Sequence, residues 1–157
     1  MKNKLKGITL IETILYVGIF SIVLVSIMNF MFSAQETTRK TNIRADVHQS
    51  VEFVNQHISD TFKNSQSVED LLSLYNIDNG VLVIQTKDGQ SQYQIQDSRL
   101  YFNDSPITPK NMSVSKLYLE PAYDSDGTTI GVKITSVVTS RIDSSIAEDI
   151  NILAVLR

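Results

Sequence analysis

Cysteine is absent from this 157-residue chain. One absence therefore excludes a disulfide framework, a thiolate zinc site, a cysteine nucleophile and a lipid-modified cysteine anchor, and it leaves the redox compartment open. Histidine is nearly absent: His48 and His57 are the only two. On one helix, nine steps of about 100° place them on opposite faces, whereas a helical metal pair needs a spacing of three or four. They are expected to be solvated surface residues, and no metal or cofactor is expected. Proline does not occur before Pro106, and Gly18 is the only glycine between Gly7 and Gly80. Almost nothing in that stretch can interrupt a helix. Basic charge is also short in the outer part, where residues 33–157 hold 11 Lys and Arg against 16 Asp and Glu. That balance argues against a general nucleic-acid binder, which needs a basic surface to neutralise phosphates.

What is present is strongly segregated. Residues 1–7 hold three lysines and no acid, and no charged residue lies between Glu12 and Glu36. Of the 20 residues 13–32, 15 are apolar, and about 20 mostly apolar residues suffice to cross a bilayer core. A purely soluble cytosolic protein is thereby disfavoured. Beyond this run, Ile43, Val47, Val51, Val54, Ile58 and Phe62 follow steps of 4, 4, 3, 4 and 4, an amphipathic helix with one narrow stripe. With no break between the two segments, the pattern predicts one helix from about residue 8 to about residue 63, roughly 85 Å at about 1.5 Å per residue. A globule of this size cannot enclose such a helix. Its first half needs lipid or other helices, and its second half needs a cover from residues 80–157.

Residues 64–79 connect the two parts, with Ser67 and Asp70 spaced like a capping box that opens a short helix through Leu71, Leu72 and Leu74. Strand signals follow: the β-rich run 81–86, the turn pair Asp88-Gly89, then Tyr93 and Ile95, then residues 99–102. After Pro106 and Pro109, the alternation of Met112, Val114, Leu117 and Leu119 slips phase at Ser115-Lys116, which predicts a bulge or a twist. Residues 124–127 read as a loop, and Ile130, Val132 and Ile134, then Ile150, Ile152, Ala154 and Leu156, alternate again. The expected fold is α+β: a long N-terminal helix whose second half packs on one C-terminal antiparallel sheet.

Three explanations compete for the basic start and the apolar run. A secretory signal peptide wants an apolar core of about 7–15 residues and a small-x-small cleavage site; the nearest candidate has Ala34 but bulky Phe32. A plain signal anchor fits the length and leaves Glu12 unexplained, although a carboxylate in the membrane region costs roughly 2.5–3.5 kcal/mol on insertion scales. The third explanation accounts for both features. Lys6-Gly7-Ile8-Thr9-Leu10-Ile11-Glu12, after a basic leader and before an apolar helix, strongly resembles the cleavage site of type IV prepilins and pseudopilins.

The resemblance implies that a membrane prepilin peptidase cuts after Gly7 on the cytoplasmic side and methylates the new terminus at Ile8. It implies a type IV pilin-like fold and a structural, non-enzymatic role, in which residues 8–33 bundle with other pilins or pseudopilins on an inner-membrane assembly platform. Gly7, with no side chain, allows extended backbone in a protease cleft. Glu12, unpaired within its own subunit, is expected to meet the terminal amine of a neighbouring subunit and so set axial register. Lys2, Lys4 and Lys6 flank one end of the run, and Arg39, Lys40 and Arg44 the other. The count of three against three does not orient the helix; the density of the leader lysines, and the resemblance, favour an N terminus inside. The chain has Ile8 where phenylalanine is most usual in the family, and Asn29 where major pilins often carry a proline. Residues 99–104, 106–109 and 114–117 look like central strands of minor pilins and pseudopilins, as does the strand ending in Arg157, which favours a minor subunit of the J-like or H-like kind.

The expected organisation is a leader at 1–7, a transmembrane and filament helix at 8–33, its amphipathic continuation at 34–64 and an extracytoplasmic β head at 65–157. The competing reading is a signal-anchored extracytoplasmic binding module that does not polymerise. Weaker signals have plain readings. Asp124-Ser-Asp-Gly127 has the acid spacing of a calcium loop but lacks its third acid and closing glutamate, so a hairpin loop is expected. Asn103-Asp-Ser105 and Asn111-Met-Ser113 fit glycosylation sequons and read as turns. Tyr93, Tyr101, Tyr118 and Tyr123 read as sheet packing. No nucleophile-elbow pattern supports a hydrolase.

Overall fold

A computed structural model describes residues 9–87 and 89–156. Contacts divide the chain into two compact units, one up to Thr41 and one from Asn42 on. Helix α1 (Leu10–Lys63) runs through the described part of the first unit and opens the second.

In the first unit every described residue is exposed, including Leu10, Ile11, Ile14, Phe20, Ile22 and Phe30. The second unit has a core. All six stripe residues, Ile43, Val47, Val51, Val54, Ile58 and Phe62, are at most 5% exposed, and complete burial of such a side chain contributes about 1.5–3 kcal/mol. Their cover is two antiparallel sheets where the sequence predicted one. The first is a meander of β1 (Ser65–Val68), β2 (Leu82–Thr86), β3 (Gly89–Gln96), β4 (Arg99–Phe102) and β5 (Ser105–Pro106) in sequential order. The second is β6 (Met112–Tyr123), β7 (Thr129–Ser140) and β8 (Ala147–Val155). Leu82, Ile84, Tyr93 and Leu100 from the first, and Met112, Leu117, Leu119, Ile134 and Ile150 from the second, join the helix stripe in one cluster.

The predicted irregularity in β6 is present: the β6–β7 register shifts between Val114 and Leu117. The other edge of β6, the outer strand in the order β6, β7, β8, takes a different partner. Leu117 N–H donates to the Asp78 carbonyl at 2.7 Å, Gly80 N–H donates to the Leu117 carbonyl at 2.8 Å, and Asn76 N–H donates to the Leu119 carbonyl at 2.9 Å. The connecting segment thus runs beside β6 and occupies the place a continuous sheet would need. A Cβ on Gly80 would lie 2.9 Å from the backbone oxygens of both Leu117 and Leu74, so the approach requires glycine.

The same segment corrects the expected short helix after Ser67. Ser65–Val68 is a strand paired with β2, followed by a single turn in which Ser73 N–H donates to the Glu69 carbonyl. Backbone partners on β2 prevail over the cap: Glu69 N–H donates to the Val83 carbonyl at 2.9 Å and the Ser73 hydroxyl accepts from Val83 N–H at 3.0 Å. The carboxylate of Asp70, expected to cap, accepts from the hydroxyls of Tyr75 at 2.7 Å and Thr129 at 2.8 Å. Two-residue hairpin turns at Asp97-Ser98 and Asn103-Asp104 carry positive φ at all four positions, the backbone of a type I′ turn. Asp88 and Arg157 lie outside the described residues, and β8 ends at Val155.

Candidate functional site

The residues singled out in the sequence lie at the start of α1. Gly7 and Ile8 lie outside the described residues. Glu12 sits in the first turn of the helix, and its carboxylate is not without partners in its own chain, which corrects the expectation. Glu12 Oε2 accepts from Thr9 N–H and from the Thr9 hydroxyl, both at 2.9 Å, while Glu12 N–H donates to Thr9 Oγ1 at 3.4 Å. Thr9-Leu10-Ile11-Glu12 is a reciprocal capping box, satisfying two of the helix's otherwise unpaired donors. The pattern is legible in sequence as Thr-x-x-Glu, the same kind of spacing as Ser67 and Asp70. The bonds hold the carboxylate at the positive end of the helix dipole. They do not cancel its charge, and both use one oxygen.

The span that follows is long and apolar enough to cross a membrane. Three of its hydroxyls fit that medium by bonding their own helix: Thr13 donates to the Thr9 carbonyl at 3.3 Å, Ser21 to Val17 at 2.8 Å and Ser26 to Ile22 at 2.9 Å. A hydroxyl satisfied four residues back costs little in hydrocarbon. Glu36 forms ion pairs with Arg39 at 2.9 Å and Lys40 at 3.6 Å. Two of the three basic residues counted on that flank are thus partly offset by a carboxylate on the same helix face, whereas the sequence places no acid among residues 1–7.

In the second unit the two histidines differ. His48 is exposed and its Nδ1 lies 3.0 Å from Glu148 on β8, and the hydrogen bond it donates to that carboxylate raises the imidazole above its ordinary pKa. His57 departs from the expected solvated role. It is half-buried, and its Nδ1 lies 2.8 Å from the hydroxyl of Tyr93, which is 1% exposed. The Tyr93 hydroxyl also lies 2.8 Å from Thr61 Oγ1, and the Thr61 hydroxyl donates to the His57 carbonyl at 2.7 Å. With the Thr61 proton so used, Tyr93 donates to Thr61 and accepts from His57 Nδ1–H, which fixes the tautomer. Burial lowers the His57 pKa and raises that of Tyr93. The Phe102 ring stands edge-on to His57 at 4.7 Å. His57, Thr61 and Phe102 line an open groove of about 760 Å³ together with Phe53, Gln56, Asp60 and Lys87, while Tyr93 lies beneath them in the core.

The Asp124 carboxylate accepts from Ser125 Oγ at 2.8 Å and Asp126 N–H at 2.9 Å, closing the β6–β7 hairpin loop on itself. Asn103 is a turn residue whose Oδ1 accepts from Gln92 N–H at 2.8 Å. Comparison with family models, with curated proteins and with solved structures gives no match to this chain.

Proposed function

We propose that the chain is a structural subunit of a type IV pilus-like filament or of a type II secretion pseudopilus, a minor pilin or minor pseudopilin processed after Gly7. The observation that carries this reading is the conjunction of Lys6-Gly7-Ile8-Thr9-Leu10-Ile11-Glu12 with an apolar helix that buries none of its first-unit side chains. Before assembly it stands as a single-pass inner-membrane protein with its N terminus inside. After processing and methylation at Ile8 it joins an extracytoplasmic filament through that helix. A cut after Gly7 leaves Thr9 and Glu12 in the mature chain, so the capping box is retained, and the second carboxylate oxygen of Glu12 is the one to meet a neighbour's terminal amine. Within hydrocarbon such a pair fixes register more than it adds stability.

Co-expression with a prepilin peptidase tests the first step. The expected result is loss of the mass of residues 1–7 and an N-methylated Ile8, with Gly7→Asp left at full length. An unchanged mass would instead support the signal-anchored, non-polymerising module. Glu12→Val is expected to be processed normally and to be missing from sheared filaments; incorporation at the parental level would sink the register role.

A further inference from the structure

The outer face of the five-stranded sheet has a composition that sheet packing does not require. Nine glutamines occur in the chain, and five of them, Gln85, Gln90, Gln92, Gln94 and Gln96, fall on β2 and β3. Register places them on the face opposite the core: Gln85 pairs with Gln90, Val83 with Gln92 and Gln94 with Tyr101, while Leu82 and Tyr93 pair on the inner side. Across β2 to β5 the only charged side chain is Arg99, whose guanidinium donates to the Thr108 carbonyl. An ordinary solvated sheet face carries lysines and acids of both signs; this one carries amides.

The face is also concave. A cavity of about 500 Å³ lies over it, lined among others by Leu72, Val83, Gln90, Gln92, Gln94 and Asp104. The turn after β1, bonded to Val83 as described, carries Leu72 to the cavity's edge, so that Leu72 and Val83 form an apolar patch beside the amides. Gln92 Nε2 donates to Gln94 Oε1 at 3.1 Å. That bond orients the pair and leaves the side-chain Oε1 of Gln92 and Nε2 of Gln94 without a protein partner among the described residues.

We propose that this glutamine-lined cavity binds a neutral glycan. A sugar hydroxyl is both donor and acceptor, and so is a primary amide, so adjacent hydroxyls can be met in pairs. The C–H face of a pyranose needs an apolar patch, which Leu72 and Val83 supply. Charge decides between polymers. Asp104, among the described residues the single ionisable one lining the cavity, disfavours nucleic acid and acidic polysaccharides, and no cation among the described residues lines it to offset a phosphate or uronate. The site is independent of whether α1 polymerises.

The test uses the full chain in phosphatidylcholine nanodiscs, titrated with cellohexaose, maltohexaose and chitohexaose and followed by ligand-observed saturation transfer. At least one is expected to bind with a Kd of about a millimolar or tighter. The double variant Gln92→Ala, Gln94→Ala is expected to weaken that binding roughly tenfold, the worth of one to two lost hydrogen bonds, at unchanged melting temperature. Leu72→Ser, on an exposed turn, is a second variant expected to weaken binding should the double variant melt early. Affinity should stay within about twofold when salt is raised, as for an uncharged ligand. Absence of binding by all three glycans, binding that survives both variants, or tighter, salt-sensitive binding of polygalacturonate or single-stranded DNA would each overturn the proposal.

Discussion

The two parts of α1 have the same backbone and opposite relations to their surroundings. Between Leu10 and Phe32 the apolar side chains point in every direction and none is buried; from Ile43 to Phe62 the apolar residues, Ala45 and the exposed Phe53 apart, keep to one stripe and all of that stripe is buried. A helix apolar all round is built for lipid or for other helices, and a helix with one stripe is built for a single cover. The difference teaches that burial within the chain follows the periodicity of apolar residues and not their number. The richer segment contributes nothing to the core.

Substitutions of like size in the two parts give the largest expected contrast. Phe62→Ala removes a ring that is 1% exposed and should destabilise the second unit by about 3–5 kcal/mol. Phe20→Ala, at a position 66% exposed, should leave its stability within about 0.5 kcal/mol. Chemical denaturation of the full chain in detergent, followed by a β-sheet signal, measures both. Equal losses would mean that the two parts share a core.

Gly80→Ala should come next, at about 2–3 kcal/mol, because the added methyl meets two backbone oxygens, and neither can withdraw without straining a backbone bond, that of Leu117 to Gly80 N–H or that of Leu74 to Val81 N–H. A loss near zero would mean that the segment beside β6 can shift freely. In contrast, Gly18→Ala adds a methyl that meets nothing within 4 Å and should be neutral for the second unit.

These positions also mark what the sequence could disclose. The stripe was legible because six apolar residues repeat at helical spacing and no glycine or proline competes. The bulge was legible because an alternation that slips by one residue has few other causes. The split into two sheets was not, since it depends on the residue 76–80 backbone reaching the outer edge of β6, and backbone hydrogen bonds between distant segments leave no side-chain pattern. The helix expected after Ser67 failed for the same reason: the cap was present in sequence, and β2 offered the segment better partners. At the candidate site the acid was found and its intrachain partner Thr9 was not, although both stand in the same motif. His57 was read as surface because a lone histidine beside an apolar stripe carries no sign of the tyrosine 36 residues away that covers it.

Tyr93→Phe tests that cover. It removes the acceptor for His57 Nδ1–H and the donor to Thr61 while keeping the ring, and should cost about 1–2 kcal/mol, less than Phe62→Ala and with no change in the sheet spectrum. A loss as large as that of Phe62→Ala would mean that the hydroxyl organises the core and does not merely satisfy it.

The smallest effects, and the finest contrast within the second part of α1, concern pH. His57 has a folded-state pKa below its ordinary 6.5 because burial penalises the imidazolium; the unfolded chain therefore takes up its proton first as pH falls. Its contribution is present above about 6.5 and is lost on acidification through the lowered value. His48 has the opposite sign. The Glu148 carboxylate, with a smaller contribution from Glu52, raises its pKa, so its contribution is present below about 6.5 and is lost as pH rises through the raised value. In thermal melts between about pH 8 and pH 5, His48→Gln should lose stability on acidification more steeply than the parent, and His57→Gln less steeply. Because the other carboxylates titrate alike in all three chains, the differences isolate the two imidazoles. A His57→Gln profile steeper than the parent's would show that the imidazolium is stabilised in the fold, by Asp60 across the turn, and that the groove side of His57 is wetter than its bond to Tyr93 implies.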